Sequence, residues 1–142
     1  MDDPYGLERF VTAQDAGGTY GRAVAELRRE RKTSHWMWFV FPQVAGLGHS
    51  PMSRTYAIGS LEEAMAYLRH PVLGSRLIEC ARIVLTAGPA TTAEQIFGEI
   101  DAQKLHSSMT LFLRAEPAEP LFQQVLDRYF DGTPDAATDQ RV

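Results

Sequence analysis

Cysteine is almost missing from this chain: Cys80 stands alone among 142 residues. One thiol excludes an internal disulfide, and its place on the apolar side of a helix expected after Pro71 predicts a buried thiol in a reducing compartment. No base stands near it in sequence, so a reactive role is not expected. Positive charge is also short. Fourteen Lys and Arg against eighteen Asp and Glu leave a net −4 and a pI near 5.5, which lacks the footprint of a nucleic-acid binder. Long apolar runs are absent too. The longest, Trp36 to Phe41, is far below the roughly 20 residues of a membrane span. The opening MDDPYGLERF is acidic and without the basic-then-apolar order of a signal peptide. A soluble, cytoplasmic protein is expected.

Several chemistries lack their residues. His35, His49, His70 and His106 have no zinc spacing and no cysteine pair to complete one. Gly46-Leu47-Gly48 has neither the preceding strand nor the third glycine of a dinucleotide fingerprint. There is no Gly-x-Ser-x-Gly and no Ser-x-x-Lys, so a serine acyl-enzyme is not expected. No metal or redox cofactor is implied.

What is present is helical period. The chain is 44% hydrophobic, enough for a packed core. Leu7, Phe10 and Val11 share one face, and Tyr20, Ala23, Val24 and Leu27 another, with Gly17-Gly18 as the turn. Ser60-Leu61-Glu62-Glu63 reads as a capping box, followed by the stripe Leu61, Ala64, Met65, Leu68. His70-Pro71 breaks that helix and starts another, whose buried face is Leu73, Leu77, Cys80, Ala81 and Val84. Thr91-Thr92-Ala93-Glu94 repeats the capping pattern ahead of a short helix stopped by Gly98. Further helices run from about Asp101 to Leu113 and through Phe122, Val125, Leu126 and Tyr129, with Gly132 as C-cap. No period-2 alternation, repeat or linker is found. The expectation is all-α, one domain over residues 1–132 with roughly six or seven helices, and a polar tail over 133–142 in which Pro134-Asp135 can start one more turn.

Residues 32–43, KTSHWMWFVFPQ, fit neither period. Ser34 can cap a turn or two of helix, Pro42 forces Phe41 out of it, and VAGLGHSPMS after it reads as a loop. The six apolar residues suit the middle of the domain, while Lys32, Ser34 and His35 beside Trp36 and Trp38 suit a pocket wall. Indole faces stack on flat heterocycles and basic groups hold a phosphate. On the helix from Asp101, the residues Leu105, Met109, Phe112 and Leu113 form the core stripe. Asp101, Lys104 and Ser108 lie along one border of it, and Ser107 points away. That border is either an edge ion pair or a ligand site in which Lys104 and Ser108 bind and Asp101 acts as acid, base or cation stabiliser. Arg22, Arg28, Arg29, Arg31 and Lys32 against Glu26 and Glu30 make a local excess of positive charge, read as a solvated helix face or an anion-attracting patch.

Four stretches, RKTSHWMWFVFPQ, RTYAIGSLEEAMAYLRHPVLGSRLIEC, IFGEIDAQKLHSSMTLF and VLDRYFDG, together resemble the bacterial family known as domain of unknown function 1810, over nearly the whole chain. The resemblance implies a compact multihelical protein with no assigned activity. Some members carry the label calpastatin, a name for disordered inhibitory segments, whereas this composition is that of a packed domain. More remotely, tryptophans set with lysine and acidic residues are similar to the pockets of NADAR-type N-glycosidases, whose Glu-His-Tyr segment has no clean counterpart here. The expectation is a pocket for a flat anionic nucleotide-like metabolite, lined by Trp36, Trp38 and Tyr56 with Lys32, Ser34, His35, Lys104 and Ser108 at its polar end. If it is an enzyme, glycosidic cleavage with Asp101 and His35 as catalytic groups is the first reaction to test. The alternative is a non-catalytic interaction module in which the aromatic run is all core.

Overall fold

The structure, a computed structural model, describes residues 3–142. Helix α1 (Glu8–Asp15) starts under the Asp3 carboxylate, which accepts hydrogen bonds from the Leu7 and Glu8 amides at 2.8 and 3.0 Å. Gly17 and Gly18 turn the chain into α2 (Thr19–Arg28). Short helices α3 (Met37–Val40) and α4 (Pro51–Thr55) follow, then α5 (Leu61–Arg69), α6 (Leu73–Leu85), α7 (Ala93–Phe97), α8 (Glu99–Ala115), α9 (Pro120–Tyr129) and α10 (Ala136–Asp139). Six of these have eight residues or more: α1, α2, α5, α6, α8 and α9. Among the described residues the β pairing is an isolated bridge between Val44 and Ile58. None of the described helices is long and apolar enough to cross a membrane.

Helix α8 is the axis. It packs against α5, α7, α9 and α10, and every residue from Ser107 to Leu113 is buried. A helix wrapped on all sides loses its polar face. Its first turns are wrapped less, so Asp101 and Lys104 remain half-buried. The stripe expected on α6, Leu73, Leu77, Cys80, Ala81 and Val84, is buried, as are Phe122, Val125 and Leu126 on α9.

Local signals shift in places. Ser60 accepts from the Glu63 amide at 3.1 Å, but the Glu63 carboxylate turns to the Gly59 amide and Arg9 instead of completing the box. The second capping box sits one residue later than the sequence suggests, on Thr92 and Gln95. Thr91 is occupied elsewhere, its hydroxyl donating to Glu30 at 2.7 Å. Glutamine serves at the third helical position as well as glutamate does. Ser34 caps nothing; α3 begins after Trp36. The stretch after Pro42 is loop only as far as Ser50, which caps α4 through the Ser53 amide. Near the C-terminus α10 docks on α8, with Ser107 donating to Asp135 at 3.0 Å and Arg114 gripping both Asp139 oxygens at 2.8 and 2.9 Å.

Candidate ligand cleft

The first element of the site is a carboxylate inside the protein. Glu26 lies on the inward face of α2 beside Ala23 and Leu27 and is 3% exposed. It accepts from the Thr33 and Ser34 amides at 2.8 and 3.0 Å, from the Ser34 hydroxyl, and from the Trp36 indole N–H at 3.0 Å. Burial by itself pushes the carboxyl up. The donors, led by the Ser34 hydroxyl and the two amides, outweigh it and hold the group down at about 2. Glu26 thus folds residues 33–36 back onto α2, with Ser34 and Trp36 turned toward it. Trp36 is fully buried.

The chain then swings out. Lys32 and Lys104 share one partner: Lys32 Nζ is 2.8 Å from Asp101 Oδ2 and Lys104 Nζ is 3.2 Å from Asp101 Oδ1. The segments 32–38 and 99–104 therefore meet. The two lysines are not equivalent. Lys32 has a side chain only 7% exposed; it also donates to the Ser34 carbonyl at 2.6 Å and lies 5.0 Å from the centre of the Trp36 ring. Lys104 is more accessible and stands 4.8 Å over Trp38, itself half-buried. Each ammonium over an indole face gains roughly 0.5–1 kcal/mol or more.

Around this trio opens a cleft of about 460 Å³, walled by Lys32, His35, Met37 and Trp38 on one side and by Phe97 to Asp101 with Lys104 on the other. Gly98 makes the second wall. Its φ of +81° and ψ of 165°, a region essentially closed to residues with a Cβ, let α7 stop and α8 start at one residue. The α8 amides begin there without a side-chain cap, so the positive end of a 17-residue helix faces the cleft. His35 is exposed at the mouth, and Ile100 stands on the rim, 75% exposed. Lys32 and Lys104 are balanced by Asp101 and Glu99.

The remaining candidates lie elsewhere. Ser108 is fully buried two turns further along α8, and its hydroxyl has no hydrogen-bond partner among the described residues. Tyr56 is half-buried against Phe10 and Phe39 and lines a second cavity, of about 240 Å³, whose lining also includes Trp38. Glu26 was readable as a carboxylate on an apolar stripe, a placement that demands partners. Gly98 was read from the sequence only as a helix stop, and nothing there pointed to Ile100.

The fold and the cleft define a class: a single all-helical domain with a cation–aromatic cleft where its central helix begins. The chain belongs to the family described as protein of unknown function (DUF1810), whose model matches residues 4–142. It is similar to the crystal structure of the conserved hypothetical protein Rv1873 from Mycobacterium tuberculosis, with 50% identity and a TM-score of 0.93 over 97% of this chain and 96% of that one. A comparison with curated proteins finds no match.

Proposed function

We propose that the cleft between Trp38 and the start of α8 binds a flat, anionic metabolite of nucleotide type. The observation that carries this reading is the half-buried Trp38 with Lys104 4.8 Å above its ring, at the edge of an open cavity. A heterocycle entering the cleft would take the place of the Lys104 ammonium over the indole face and stack there, with the displaced cation beside it. Lys104 and His35 offer donors to the ring edge or its substituents, and Asp101 offers an acceptor. Lys32, Ser34 and Trp36 shape the site from behind by holding segment 32–38 in place. Within this reading N-glycosidic hydrolysis is the reaction to test. Water would add to the anomeric carbon as the C–N bond breaks, Asp101 would offset positive charge on the sugar, and His35 would deliver a proton to the departing base and regain one from the added water. Ile100, exposed on the rim, favours a second reading in which the same mouth seats a protein partner.

The experiment is a thermal-shift screen of the protein and its Lys104→Ala variant against NAD, ADP-ribose, the common nucleoside phosphates and riboflavin precursors. A ligand at a hundred times its Kd adds about 2.7 kcal/mol, a shift of several degrees. A shift that the variant loses supports the cleft, and product analysis with that compound tests for hydrolysis. If no compound moves the midpoint of the folded protein, the cleft is not a metabolite site and the partner reading takes its place.

A further inference from the structure

Trp38 belongs to two linings, that of the cleft and that of the cavity of about 240 Å³. The two spaces differ in charge. The cleft wall has Asp101 and Glu99 against its two lysines, so a phosphate there would meet as many carboxylates as ammonium groups. In the smaller cavity Arg54 is the one ionised side chain in the lining. Arg54 is exposed and, among the described residues, enters no ion pair. Gly46, also in the lining, has φ +97°, and the Arg141 guanidinium occupies the position a Cβ would take. A second cation thus lies against a residue of this lining, though not itself in it, and no carboxylate lines the cavity. Tyr56 supplies an aromatic wall, fixed against Phe10 and Phe39 at 5.7 and 5.3 Å between ring centres.

We propose that the cavity behind Trp38 is the anion-holding half of the ligand site. Resting on the cleft reading above, this assigns the parts of the ligand: the flat ring lies on the cleft face of Trp38, and a phosphate reaches round the indole to Arg54 and Arg141. The substrate class is a nucleoside phosphate or a compound built like one, with a planar base and a phosphate separated by the length of a sugar. An uncharged nucleoside fills only half the site. A guanidinium on phosphate is a charge-assisted, often bidentate contact.

The test uses matched pairs that differ only in the phosphate: adenosine and AMP, guanosine and GMP, riboflavin and its 5′-phosphate. Binding is measured by calorimetry to the protein and to Arg54→Ala, Arg141→Ala and Trp38→Phe. The expected result is that the phosphorylated member of one pair binds about tenfold more tightly or better. Arg54→Ala and Arg141→Ala should remove that preference and leave nucleoside binding unchanged, while Trp38→Phe weakens both members. Arg54→Ala should keep the unliganded melting point, which shows that it folds. If the pair members bind equally, or the preference survives in Arg54→Ala, the anion half is overturned while the cleft reading stands. If no member of any pair binds, both fall.

Discussion

Trp36 and Trp38 are two residues apart and face opposite demands. Trp36 is fully buried and its N–H is satisfied by Glu26 at 3.0 Å. Trp38 is half-buried, lines two cavities and carries an ammonium over its ring. The same division runs through the segment. Lys32, Ser34 and Trp36 turn their polar atoms inward to Glu26, Asp101 or backbone, whereas His35 and Trp38 face the opening. One set of residues turns its side-chain donors into the protein, and the other leaves its side chains on the cleft. The saturated wall is what lets the open wall be rigid: a site built on a segment with no regular structure holds its geometry only if that segment is fastened from behind.

The sharpest way to break this comparison is to remove the fastening. Glu26→Ala leaves two amides, a hydroxyl and an indole N–H without their acceptor in a buried place, and is expected to cost about 3–4 kcal/mol of unfolding free energy. Trp38→Ala, beside an open cleft, is expected to cost less than about 2 kcal/mol. Urea denaturation of both variants measures this. A Glu26→Ala loss smaller than that of Trp38→Ala would show that the two walls are not divided as described.

Acid gives the next largest effect. The Glu26 carboxyl is lowered from its ordinary 4.5 to about 2, so the folded state binds its proton less readily than the unfolded state. Its contribution is then fully present above pH 4.5 and is lost as the pH falls through about 2. The shift corresponds to about 3 kcal/mol across that window. Asp139, held down by the hydrogen bonds from Arg114, and Asp3, held down by the Glu8 and Leu7 amides, lose stability in the same direction. Subtraction isolates Glu26: Glu26→Gln should flatten the acid limb of the stability curve below pH 4.5 while Asp139→Asn leaves most of it. Equal acid sensitivity in Glu26→Gln and the parent would mean that the cage around Glu26 does not depend on its charge.

Much of this was legible in sequence where one helix and its own period decide the outcome. The stripes of α6 and α9 and the six longer helices follow from spacing alone. The α7 cap moved by one residue because Glu30, some 61 positions away, takes the Thr91 hydroxyl, and no local rule contains that. Ser108 shows the limit of face geometry. Its angle on an isolated helix puts it on a border with Asp101, but α8 is packed against four helices along its length and Ser108 is fully buried, so the border there is core. That segments 32–38 and 99–104 meet is a tertiary fact, set by Lys32 reaching Asp101 across 69 residues. The segment of residues 32–43 was ambiguous because it holds both classes of residue in alternation, and only the position of Glu26 separates them.

The smallest expected effect is the most discriminating, because it compares two lysines bound to the same carboxylate. Lys32 is 7% exposed with the Ser34 carbonyl as a further partner, and Lys104 is 19% exposed with Asp101 as its ion-pair partner. Removing Lys32 strands the half-buried Ser34 carbonyl and one oxygen of the half-buried Asp101 carboxylate, though Asp101 keeps Lys104; Lys32→Ala should cost about 2 kcal/mol. Lys104→Ala gives up an i,i+3 pair and the contact over Trp38, both with some access to water, and should cost about 1 kcal/mol. Raising the salt concentration should shrink the small loss and leave the large one, since screening acts on accessible charges. If Lys104 were as costly as Lys32, it would belong to the fastening and not to the face of the cleft. A Lys104 that costs little stability and still matters for ligand binding is what an open wall requires.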